Sequence, residues 1–474
     1  MILVSLILIP LVFGLGSFFL KGTDSPKTFA LIASILSLAA SLYAISIPVG
    51  SLTYSHGWLG TFNSNFSLGA DGLAKILILL TAVSYPIIFI ATSRNQYKDT
   101  SQFYALMLLV QAGLMGVFLS TDCLLFYFFW ELALIPAYFL CSKWGGDKRI
   151  QVSFKFFIYT FIGSLIMLIG IIYLYSKTSD HSFAWSSFSR VVLTDQEQKY
   201  FFWFFFIAFA IKMPIFPLHT WQPDTYEQAP TATTMVLSGV MVKMGLFAVA
   251  RWLIPVFPQM AVKMADTVMI LSIIGMIYAS LIAMKQDSIK RMIAYSSIAH
   301  IGLMCAALFA NNAAATQGVY IQLFNHGVNV IGLWIVANAI EQQTGTTKMS
   351  ELGGLAYKAP VLAILLVVMA LANIALPLTN AFVGEFLMFN GIFAYKPVFA
   401  AVAIISIVLA AVYTLNMIQK VFLGEASGFL KVTEIPKNTI IALSIIVLMI
   451  FAMGVYPNPM FHLGEQVMGW AMKK

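Results

Sequence analysis

The sequence predicts an all-α polytopic membrane protein of about fourteen transmembrane helices, and three observations carry that reading. Of its 474 residues, 60% are hydrophobic and only 10% charged, with a mean hydropathy of +0.88. A soluble domain holds roughly 45–50% apolar and about 25% charged residues. The apolar residues fall into runs of about 19 residues, the length that crosses a bilayer. The runs also follow one another closely, and the longest gap, Ser176–Tyr200, leaves no room for a soluble domain. The whole chain, 1–474, therefore reads as one transmembrane domain.

In order, the expected spans lie near Ile2–Leu20, Phe29–Ile47, Leu73–Ala91, Phe103–Leu119, Cys123–Leu140, Phe156–Tyr175, Phe201–Leu218 and Thr231–Leu253. Thr267–Met284, Ile289–Phe309, Tyr320–Ala339, Val361–Phe393, Val398–Phe422 and Thr439–Val455 follow. The first run lacks the basic start and small-residue cleavage site of a signal peptide, so it reads as a retained helix. Pro214 and Pro217 interrupt the seventh span and Pro377 the twelfth. A proline frees a backbone carbonyl that, at membrane depth, must find protein or water, so broken helices border cavities. The breaks lie five helices apart. Two inverted five-helix repeats, residues about 103–253 and about 267–422, would place them in corresponding positions.

The formal charge of +8 comes from basic residues scattered between apolar runs. They form no stripe or patch, so no nucleic-acid partner is expected. They read as topology signals instead. Val49–Ala70 contains no Lys or Arg. The alternate loops gather Lys21, Lys27, Arg94, Lys98, Lys143, Lys148, Arg149, Lys155, Lys285, Lys290, Arg291, Lys348, Lys358, Lys420, Lys431 and Lys437. By the positive-inside rule both termini face outward. Cys123, Cys141 and Cys305 form no CxxC pair, and the chain has no Gly-rich phosphate loop, Rossmann fingerprint or nucleophile constellation. No metal, disulfide or redox cofactor is expected on this chain.

Four charged residues lie deep within apolar runs: Glu131, Lys212, Lys243 and Glu385. At 1.5 Å per residue, Glu131 sits about 12 Å into the fifth span and Lys243 about 18 Å into the eighth. An ionisable group at mid-bilayer costs roughly 2.5–3.5 kcal/mol on insertion scales, so each is a functional candidate. A structural ion pair could explain Glu131 and Lys212 but leaves Lys243 and Glu385 unexplained. Two histidines, His300 and His326, fall between the lysines and Glu385. Gln322, Asn325, His326 and Asn329 recur at helical spacing and define one polar face inside the membrane. Histidine titrates near neutrality and can relay protons through either ring nitrogen. A proton path is the reading that uses all six residues. Asp71 and Lys75, four apart, are expected to pair locally with the lysine snorkelling.

Lys212–Arg251, KMPIFPLHTWQPDTYEQAPTATTMVLSGVMVKMGLFAVAR, resembles the signature of the antiporter-like membrane subunits of bacterial NADH:quinone oxidoreductase, respiratory complex I. LGADGL at Leu68–Leu73, DCLLFYFFWELALIPAYFL at Asp122–Leu140, KQDSIKRMIAYSSIAHIG at Lys285–Gly302 and ALPLTNAFVGEF at Ala375–Phe386 support it in the family's order. The resemblance implies that Glu131 and Lys212 form the pair on helices five and seven and that Lys243 is the central lysine of helix eight. Glu385 matches the branch with glutamate rather than lysine on helix twelve. Leu378, Ala381 and Asn329 depart from the family pattern. The resemblance also implies proton pumping in the bacterial inner membrane, driven through other membrane-arm subunits. NADH, FMN, iron-sulfur clusters and quinone would all be handled on other subunits. A multisubunit Mrp-type cation/proton antiporter, the membrane arm of an energy-converting hydrogenase, and an inert anchor remain open as rivals.

Overall fold

The computed structural model describes residues 1–425 and 433–471, with side chains through 465. Lys431, counted among the topology signals, lies outside the described residues. The helices are α1 (Ile2–Ser17), α2 (Asp24–Ser46), α3 (Gly72–Ala91), α4 (Thr100–Leu119), α5 (Cys123–Trp144) and α6 (Arg149–Lys177). The seventh span is broken into α7 (Asp195–Lys212) and α8 (Trp221–Gln228). Then come α9 (Thr231–Val256), α10 (Pro258–Lys285), α11 (Ile289–Phe309) and α12 (Ala313–Thr344). The twelfth span is broken into α13 (Pro360–Asn373) and α14 (Asn380–Tyr395). α15 (Pro397–Leu423), α16 (Lys437–Val455) and α17 (Asn458–Ala471) complete the described chain. Eleven helices among the described residues are long and apolar enough to cross a membrane.

Burial sorts these helices into a centre and a rim. The most apolar stretches of α9 and α12 are 100% buried, against 33% in α2 and α15 and 28% in α16. The exposed faces of the rim are aliphatic and aromatic, as Ile364, Val408 and Leu448 show, and suit lipid. Polar side chains turn inward, where other helices can bond them.

The basic-residue-free segment contains a hairpin. β1 (Thr53–Leu59) pairs antiparallel with β2 (Ser64–Gly69). Asp122 ties it to the bundle. Its carboxylate caps α5 by accepting from the amides of Leu124 (3.0 Å) and Leu125 (3.1 Å), and it accepts from the Ser64 hydroxyl (3.0 Å) and the Asn65 amide (3.1 Å).

The expected Asp71–Lys75 pair is not formed. Lys75 is buried, and its ammonium donates to the carbonyls of Ile45 (3.3 Å) and Ile47 (2.5 Å), closing the end of α2. Asp71 caps α3 and pairs with Arg251 of α9. Lysine follows the unsatisfied helix-end carbonyls, and the carboxylate takes the more distant but bidentate-capable guanidinium.

α9 lies against the break in the seventh span because Gly245 allows it. A Cβ there would meet the Phe209 carbonyl oxygen at 2.7 Å and the Met213 amide nitrogen at 2.9 Å, both backbone atoms. Gly245→Ala should therefore push α9 from α7 and cost about 1–3 kcal/mol. The expected result is a lower melting temperature of the detergent-solubilised assembly; an unchanged one would show that the contact is loose.

Candidate functional site

The site begins where α7 ends. Pro214 has no amide hydrogen to return to the Ala210 carbonyl, which accepts instead from the Ile215 amide at 2.9 Å. The Trp221 indole donates to the next carbonyl, that of Ile211, at 2.9 Å. The break is thus closed by protein donors, and Lys212 stands directly before it. The Lys212 ammonium is buried without a hydrogen-bond acceptor, 5.6 Å from the Trp130 ring centre and 6.0 Å from that of Phe156. Glu131 follows Trp130 on α5, and one of its carboxylate oxygens is buried without a donor. Glu131 and Lys212 attract one another electrostatically, but no direct ion pair joins them among the described residues. A packing salt bridge therefore does not account for them.

Lys243 is fully buried on α9. The turn before it, Leu237–Met241, is π-helical, with the Val242 amide reaching back to the Leu237 carbonyl at 3.1 Å. The Lys243 ammonium donates to the neighbouring Ser238 carbonyl at 2.6 Å. π-bulges frequently mark functional positions. The sequence carried no signal for this one, because α9 is apolar and buried on all sides and shows no polar face whose phase a π-turn would shift. Lys243 lies within electrostatic reach of His326 on α12.

From there the polar residues touch. The rings of His326 and His300 have centres 5.5 Å apart, and His300 Nδ1 lies 3.1 Å from Glu385 Oε1. The stripe on α12 faces α14. Gln322 donates to Glu385 Oε1 (3.2 Å), Asn325 donates to the Asn380 carbonyl (2.7 Å), and Asn329 Oδ1 accepts from Asn380 (3.0 Å). Behind His300, Tyr413 donates to the Ser296 hydroxyl (2.9 Å), as does Asn373 (3.3 Å). A cavity of about 10 Å³ lined by His300, Asn373, Glu385, Ser406 and Tyr413 has the volume of roughly a single water. Sequence reasoning missed Asn380, Asn373 and Tyr413. The amides flank the proline break, a position that could have flagged them; Tyr413 looks like any aromatic of an apolar helix.

The six residues singled out from the sequence thus fall into two groups. Glu131 and Lys212 sit beside the first break. Lys243, His326, His300 and Glu385 run in sequence from the centre to the second break. A separate vestibule of about 1310 Å³ opens among the basic loops and is lined by Arg94, Lys98, Lys148, Lys155, Lys290 and Arg291 together with Asp147, Asp224, Glu227 and Glu341. Among the described residues no group of three or more His, Cys, Asp or Glu is placed to hold a metal ion.

A many-helix membrane protein with two proline-broken helices and a buried row of ionisable side chains between them belongs to the class of ion-translocating membrane subunits. The comparisons narrow this. The sequence profile described as "NADH:quinone oxidoreductase/Mrp antiporter, TM" matches residues 120–410, and the chain belongs to that family. It is 36% identical over 453 residues to NADH-quinone oxidoreductase subunit M of Rickettsia prowazekii, covering 92% of this chain and 91% of that protein. It is 33% identical over 494 residues to the subunit M of Escherichia coli K12, with 99% and 97% coverage. In structure it is similar to a chain of respiratory complex I from Thermus thermophilus, with a TM-score of 0.92, 26% identity and full coverage of both chains.

The second break bends through two residues with positive φ. Leu378 adopts φ +75° and Ala375 φ +53°, the left-handed region that favours glycine. The Leu378 side chain is 66% exposed and has little packing to lose. Leu378→Gly should therefore be neutral or stabilise by up to about 1 kcal/mol, whereas Leu378→Val should destabilise by about 1–3 kcal/mol. Thermal melting of the solubilised assembly checks the order of the two variants; a less stable glycine variant would contradict the strain argument.

Proposed function

We propose that protons cross this chain along Glu131, Lys212, Lys243, His326, His300 and Glu385, within the membrane arm of a proton-pumping NADH:quinone oxidoreductase. The chain is an antiporter-like membrane subunit of that type, as its family and its subunit M relatives indicate. The single observation that carries the path is the direct contact of His300 with Glu385, with the His326 ring next to it on the side toward Lys243. A lysine held by one backbone carbonyl rather than a carboxylate can give up its proton without breaking an ion pair. The paired histidines can receive it, and Glu385 is the terminal carboxylate.

Further parts of the reading follow from the same argument. The two breaks mark two inverted five-helix repeats, about 103–253 and about 267–422. The basic vestibule faces the cytoplasm, and both termini face the periplasm. Redox groups (NADH, FMN, iron-sulfur clusters and quinone) belong to partner subunits, a reading supported by the likeness to subunit M relatives and to a chain of complex I. Moving one charge against 100 mV costs about 2.3 kcal/mol, so the neighbouring membrane-arm subunits must supply the energy.

The test is proton uptake into inverted membrane vesicles with NADH and a quinone acceptor, normalised to assembled complex on native gels. Lys243→Arg keeps its charge, but arginine holds its proton to above about pH 12. It should assemble yet lose pumping by at least about tenfold. Full pumping by this variant would make Lys243 structural. Glu385→Gln should likewise assemble and lose most pumping, whereas a glutamate that only stabilises the break predicts poor assembly with normal pumping per complex. Glu131→Asp, which keeps the carboxylate, should retain far more activity than Glu131→Ala; full pumping by Glu131→Ala would remove Glu131 from the path.

A further inference from the structure

Arg291, legible in the sequence only as a topology signal, occupies a crossing between the two groups of the site. It lies in the first turn of α11, where one guanidinium nitrogen donates to both Asp224 Oδ1 (3.1 Å) and Glu227 Oε2 (3.0 Å) of α8. Its Nε is fixed by Gln286 at 3.2 Å. Lys155 of α6 takes the other Asp224 oxygen at 2.8 Å.

The two helices joined here each lead to a functional group. α8 begins with Trp221, whose indole closes the Ile211 carbonyl beside Lys212. α11 carries His300 nine residues beyond Arg291, about 13 Å along the axis, and His300 rests on Glu385. The three charged side chains are each about a third exposed, at 28%, 32% and 31%, so the pairs add little stability. Two carboxylates of one short helix sharing one cation instead fix where α8 lies against α11. Under the charged side of α8, Gln222 is fully buried, and its amide interacts with Tyr226 one turn along the same helix. An interior amide with so few protein partners is one that water admitted along α8 would solvate.

We propose that Arg291 is a positioning residue of translocation, tying α8 to α11 so that access of water to Lys212 is coupled to the His300–Glu385 contact. The role rests on the proton path proposed above and adds to it the element that links its two halves.

The experiment uses the whole complex in inverted vesicles and reads protons translocated per NADH oxidised, a ratio that lower assembly alone does not change. Arg291→Gln should lower the ratio by about threefold or more. Arg291→Lys should stay within about twofold of wild type, because a single nitrogen makes both contacts. In a Gln222→Cys background, a membrane-impermeant maleimide should label position 222 faster once Arg291→Gln is added. A wild-type ratio and unchanged labelling in Arg291→Gln would overturn the proposal, as would an equal loss in Arg291→Lys. The double variant D224N/E227Q must reproduce the loss; normal coupling in it overturns the proposal even where Arg291→Gln fails to assemble. Lys212→Ala is the reference. Normal pumping there sinks the proton path itself, whereas loss there with wild-type Arg291→Gln sinks only the positioning role.

Discussion

A charged side chain at membrane depth has no bulk water to solvate it, so the protein must supply its polar partners, and the bundle is arranged around that requirement. The partners supplied here are weak ones. Lys243 receives a single backbone carbonyl, Lys212 two aromatic faces, and Glu385 an amide and an imidazole. Each is enough to tolerate the group in the interior and too little to lock its charge. A full counter-ion would hold each group in one state, and a group held in one state cannot take part in proton transfer.

The same requirement explains the irregular backbone. A straight α-helix spends its carbonyls on itself and offers nothing to a buried ammonium. The π-turn in α9 leaves the Ser238 carbonyl available to Lys243, and beside the proline breaks the Trp221 indole and the Asn325 amide donate to backbone carbonyls. These irregularities sit in or beside the central helices, where neighbouring helices can satisfy what the local backbone gives up. The rim helices, whose outer faces meet lipid, lack comparable charge. At the vestibule the logic changes. There the ion pairs are direct and partly exposed, and they tie helices together without the cost of full burial.

The sequence by itself determined the class, the order of the helices, the positions of both breaks and three of the buried charges, Lys212, Lys243 and Glu385. These are properties of apolar run length, proline placement and the rarity of Glu and Lys in such runs, all of them local in the chain. Tertiary structure alone decided which charges touch. It separated Glu131 from direct contact with Lys212, gave Asp71 to Arg251 rather than to Lys75, and brought Asn380 to Asn329 and Tyr413 to Ser296. It also placed Arg291 between the two broken-helix regions. Those outcomes depend on how helices far apart in sequence cross and rotate, and on where a π-turn or a left-handed residue bends the backbone. Spacing along one helix cannot encode them, because a partner on another helix is chosen by the packing of both.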